Sequence, residues 1–79
     1  MKLTYDPDLN IAYIRLRKKS ARVRTITVSD ELNVDLGRDG SIYGIEFLNA
    51  REQLSADRLN AVVVEDKGTG KTRQIAITV

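Results

Sequence analysis

Thr69-Gly70-Lys71-Thr72 has the residue types that close a phosphate-cradling loop, and AVVV over 61–64 reads as the strand that precedes one. In such a loop, GxxxxGK[ST], backbone N–H groups hold the phosphates, the Lys reaches them, and a helix N-terminus follows. Here the position of the first Gly is Glu65, whose carboxylate would oppose the phosphates. RQIAITV then follows, and it alternates like a strand rather than a helix. The stretch EDKGTGKT therefore predicts a hairpin turn, with Gly68 and Gly70 supplying the turn torsions and Lys71 keeping it soluble.

Other chemistry is sparsely equipped. Asp35, Asp39 and Glu46 are hard-metal ligand types, but they lack the DxDxDG spacing of a calcium loop, and Asp39-Gly40 has a turn role of its own. With no His and no Cys, most transition-metal sites and the usual acid–base and nucleophilic arrangements have no residues to work with. The expectation is a protein that is not an enzyme and carries no cofactor. What remains is cationic: Arg15, Arg17, Lys18, Lys19, Arg22 and Arg24 form a run without an acid. Such a run suits an acidic partner surface or nucleic-acid phosphates. Tyr13 is its one nearby aromatic, which makes a base-stacking platform thin. As a plain solvated hairpin end, the same cations would protect a sheet edge from unwanted strand pairing.

Charge is uneven along the chain. Residues 1–29 balance to +5 and residues 30–58 to −4, within a formal net charge of +2. This predicts one basic and one acidic surface. Seventy-nine residues make one domain. A chain this short buries roughly 60% of the surface its unfolded form exposes. Without disulfide or metal, a partner subunit is the remaining support, so a homodimer is expected. The longest apolar run, AVVV, is too short to span a membrane, and no charged-then-apolar leader opens the sequence. A cytoplasmic protein is the expectation.

The elements that must position these residues are mostly strands. MKLTY is followed by a turn at DPDLN, where Pro7 presets a torsion and Asp6, Asp8 and Asn10 can bond nearby backbone. IAYIRLR sets Ala12, Ile14 and Leu16 against Tyr13, Arg15 and Arg17. RVRTITVS is β-branched, and LNVDL turns Leu32, Val34 and Leu36 inward. GRDGS signals a hairpin into IYGIEF, where Gly44 marks a bulge or a close approach by another backbone. NAREQL opens with Asn49 as an N-cap and Glu52 at capping-box spacing, and Ser55 repeats the start signal. AVVVE and RQIAITV flank the last turn. The fold class is α+β: an antiparallel meander of five to seven strands with one short helix near residues 49–59.

Tyr5-Asp6-Pro7, Ala12-Tyr13-Ile14-Arg15-Leu16, and the block from Val34-Asp35-Leu36 through Gly40 to Gly44-Ile45-Glu46 together resemble the YuzE-like family of small bacterial proteins, a domain of unknown function. The likeness covers about residues 1–54. It leaves 55–79 as an extension whose hairpin rests on pattern alone. The resemblance implies no catalytic residues. It implies a bacterial cytosolic protein and, through neighbouring toxin-like genes, an antitoxin-like role. The expected function is thus a protein-interaction module that neutralises a small cognate protein through the Arg15–Arg24 surface; the alternative is a nucleic-acid-binding regulator using the same cations.

Overall fold

A computed structural model of the chain describes residues 1–18, 22–54 and 61–76. Seven strands and one helix are present among them: β1 (Lys2–Asp6), β2 (Ile11–Arg15), β3 (Arg24–Ser29), β4 (Leu32–Leu36), β5 (Ile42–Leu48), α1 (Ala50–Leu54), β6 (Ala61–Glu65) and β7 (Thr72–Ala76). Every run expected to be a strand holds one, and the last three residues of RQIAITV lie outside the described residues. The expected helix is Ala50–Leu54, and the part reaching to 59, with the start signal at Ser55, lies outside the described residues.

The strands do not form one meander. β1 to β5 make an antiparallel sheet in the order β1-β2-β5-β4-β3, and β6 and β7 form a separate two-stranded hairpin. The chain leaves β2, builds β3-β4-β5 as a meander, and returns β5 to lie beside β2. Side-chain matching explains the return. The registers Leu3↔Ile14, Ile14↔Ile45, Val34↔Ile45 and Ile26↔Val34 carry one row of aliphatic residues across all five strands. A second row joins Tyr5, Ala12, Phe47 and Leu32. Cross-strand apolar neighbours stabilise pairing by roughly 0.2–1 kcal/mol each, and a one-residue slip would reverse both faces. The inward alternation of LNVDL is the one observed; in β5 Ile45 and Phe47 follow it, while the register shift between Asp35 and Leu36 leaves Tyr43 beside Thr4, Tyr13 and Arg15.

The opposite face is polar. Tyr13 pairs with Glu46 across β2 and β5, and Arg15 with Gly44, which itself opposes Asp35 on β4. The Tyr13 ring lies over Gly44, where an added Cβ would overlap it, and its hydroxyl donates to Asp35 Oδ2 at 2.7 Å. The close approach at Gly44 is thus a side chain, not a backbone. A bulge sits beside it, where the β4–β5 register shifts between Asp35 and Leu36. Thr25 donates to the other Asp35 oxygen at 2.6 Å, and Asn33 Nδ2 to Glu46 Oε1 at 2.9 Å. Burial and the Asp35 carboxylate push the Tyr13 phenol well above its ordinary value.

Helix α1 is started by a residue far away in sequence. Asn49 has a positive φ of 49° and only begins the helical hydrogen bonding, its carbonyl accepting from Gln53 N–H. The cap is Asn10, in the β1–β2 turn: its carbonyl accepts from Ala50 N–H at 2.9 Å and its Oδ1 from Arg51 N–H at 2.8 Å. Glu52 does not close a box onto Asn49. Its carboxylate accepts from Asn10 Nδ2 at 2.6 Å, which holds it below the usual carboxylate range. The expected N-cap is corrected accordingly. A helix N-terminus needs acceptors for its free N–H groups, and the turn supplies them first.

The last turn is the hairpin foreseen in EDKGTGKT. Asp66 Oδ1 accepts from the N–H groups of Gly68 and Thr69, and Asp66 N–H donates to the Lys71 carbonyl. Only Gly70, with φ of 75°, uses a torsion that favours glycine; Gly68 does not.

Candidate interaction surface

The antiparallel order gathers charge at the two ends of the sheet. β1 begins, β2 ends, β3 begins and β4 ends at the same edge, so Lys2, Arg15, Arg17, Lys18, Arg22 and Arg24 meet there, and the β4–β5 turn adds Arg38 and Asp39. At the other end lie Asp6, Asp8, Asp30, Glu31 and Glu52, with Arg51. The sequence asymmetry therefore becomes a basic end and an acidic end of one sheet.

At the basic end an open cleft of about 570 Å³ is lined by Arg17, Lys18, Arg22, Arg38, Asp39 and Tyr43, among others. Arg17 is held on two sides. Its Nη1 donates to Ser41 Oγ at 2.7 Å and stands 3.7 Å from Asp39 Oδ2. Asp39 in turn accepts from the Ser41 backbone N–H and hydroxyl, and these bonds, ahead of the nearby Arg17 charge, lower its carboxyl below the usual range. The turn expected at Asp39-Gly40 is what sets this geometry: Gly40 has φ of 83°, and its N–H donates to the Gly37 carbonyl.

The expected site residues are only partly brought together. Arg17, Lys18 and Arg22 share the cleft, and Arg24 lines an adjoining hollow of about 350 Å³ with Arg22 and Arg38. Arg15 stands apart, in a separate hollow with Lys2, Thr4 and Tyr13, because its strand position turns it to the polar face. Lys19 lies outside the described residues. Arg38 and Ser41 were missed by local reading. They join the cluster only because β5 pairs with β2, which brings the β4–β5 turn beside the end of β2.

The carboxylates do not assemble. Asp35 is occupied by Tyr13 and Thr25, Glu46 by Asn33, and Asp39 by Ser41 at the sheet end. Among the described residues no group of three potential ligands is placed to hold a metal ion. No helix is long and apolar enough to cross a membrane.

Fold and surface together define a small antiparallel-sheet domain with one capped helical turn and a cationic end. The chain belongs to a family of proteins of unknown function (DUF2283), whose sequence pattern matches residues 2–51. That span covers the five-stranded sheet and the first two residues of α1, and leaves the β6–β7 hairpin outside it. No curated protein and no solved structure matches the chain.

Proposed function

We propose that this protein is a non-enzymatic protein-interaction module that binds a small acidic cognate protein at the basic end of its sheet. The carrying observation is the convergence of Arg17, Lys18, Arg22 and Arg38 on one open cleft that contains a single acid. Complementary charge raises encounter rates and selects partners, and a guanidinium already held by Ser41 and Asp39 loses less freedom on docking. The antitoxin-like role implied by the family resemblance is the form in which we propose this binding acts.

A nucleic-acid reading draws on the same cations, since phosphates would also fit a cleft of this charge. It is less well supported: Tyr43 is the one aromatic lining the cleft and is 7% exposed, so no base can stack on its face, and Asp39 would oppose a phosphate chain.

Capture from a native lysate, with protein mass and nucleic-acid readouts, tests both. A small acidic protein should be retained by the natural chain and lost from the Arg17→Glu/Arg22→Glu/Arg38→Glu variant, whose circular dichroism should be unchanged. Equal retention by both chains overturns the proposal. Recovery of nucleic acid that dissociates steeply with salt would favour the second reading.

A further inference from the structure

Among the described residues, α1 is the one element outside the five-stranded sheet that packs on it, against β2, and most of the apolar face is left uncovered by them. Among the described residues, Ala12, Tyr43 and Ala50 are the buried apolar ones. Leu3, Leu16, Ile26 and Val28 are 38%, 42%, 39% and 59% exposed, and the central Ile45 and Phe47 are half-buried. The accessible surface is 6386 Å². A compact folded monomer of 8.9 kDa exposes about 4,800 Å². The excess, about 1,600 Å² per chain, leaves room for the roughly 800 Å² per partner of a standard stable interface. Part of it belongs to the β6–β7 hairpin, whose Val62, Val64 and Ile75 share an exposed apolar side.

We infer that two copies of this chain pack apolar face against apolar face, with the two-fold axis running across the strands, so that the basic end of each sheet lies over the acidic end of the other. Two observations select a second copy as the occupant. First, a sheet with so small a core of its own needs this cover whenever it is folded, and an identical chain is always present when the first is made. Second, the charge layout is self-complementary. Facing sheets stack about 10 Å apart, close to the screening length of physiological salt, roughly 8 Å. An axis parallel to the strands would set basic end over basic end, with Arg24 of one copy above the Lys2 end of β1 in the other. An axis across the strands instead brings the Arg38 turn over the Glu31 turn. The inference shares the Arg38 turn with the proposed cleft, but its readouts of mass and cross-linking are separate from capture of a cognate protein.

The oligomeric state and its geometry are directly testable. Light scattering at micromolar concentration should give twice the chain mass, and the urea midpoint should rise with chain concentration, as for folding coupled to association. Ile26→Lys, at an already part-exposed position, should weaken association about tenfold or more. The chain has no Cys, so single thiols can be placed cleanly. After co-refolding, a thiol cross-linker of ~10 Å reach, matched to the sheet spacing, should join Glu31→Cys chains to Arg38→Cys chains, and should not join Arg38→Cys chains to one another. A monomeric mass with a concentration-independent midpoint overturns the proposal. So does a dimer that cross-links through Arg38→Cys alone.

Discussion

Tyr13 reaches Asp35 only because Gly44 leaves open the space between β2 and β4. The contact couples a glycine without a turn role to a phenol held in its neutral form. The sign of the pH effect follows: the unfolded chain loses this proton near pH ~10, while the folded chain keeps it, so stability present below that pH falls as pH rises beyond it. Urea midpoints measured from pH 8 upward should show this loss in the natural chain and a shallower one in Tyr13→Phe. Gly44→Ala should displace the ring and cost about 1–3 kcal/mol, from crowding and from a hydroxyl parted from its acceptor. The Gly44→Ala/Tyr13→Phe chain should lose less than the two changes added, because both break one contact. In sequence Gly44 was visible as an anomaly in a strand, but what approached it was not, since Tyr13 lies on a strand paired through the fold and not through a turn.

The elements themselves were legible for a local reason. Alternation in LNVDL, IYGIEF and IAYIR, with Asp-Gly and Asp-Pro turns between, is written within each segment. Strand order was not, because a meander and the observed β1-β2-β5-β4-β3 order share the same alternation and differ only in which nonadjacent strands pair. The helix start shows the same limit: Asn49 has the right type and spacing for a cap, yet Asn10 performs the task from 41 residues away. Asn10 has a φ of 55°, which glycine adopts freely and alanine does not. Asn10→Gly should therefore keep the turn and lose the side-chain caps, costing about 1 kcal/mol. Asn10→Ala should cost about 1–2 kcal/mol more. NMR titration should show the Glu52 carboxyl rising toward its ordinary value in both variants.

For the whole molecule, stability should be unequal in a way the topology dictates. β5 is hydrogen-bonded on both sides, by β2 and β4, whereas among the described residues β6 and β7 pair only with each other. Two-stranded hairpins are marginal alone. Amide exchange should accordingly be slowest in β5 and faster by orders of magnitude in β6 and β7, whose opening would be local rather than global. Equal protection of hairpin and central strand would show that the two units unfold together. The basic and acidic ends were foreseen from charge along the chain, since antiparallel connections sort charged turns by end. The single cleft was not, because Arg38 comes from the acidic stretch of the sequence.

The bonds from Asn10 to Ala50, Arg51 and Glu52 also act as a check on assembly. If β2 settled against β5 one residue out of step, Asn10 would move by about 3.4 Å relative to the helix start. That displacement breaks all three bonds at once and leaves the first turn of α1 without acceptors. The aligned sheet is then the one that supplies the helix start with its acceptors, so the helix favours the register in which Ile14 meets Ile45.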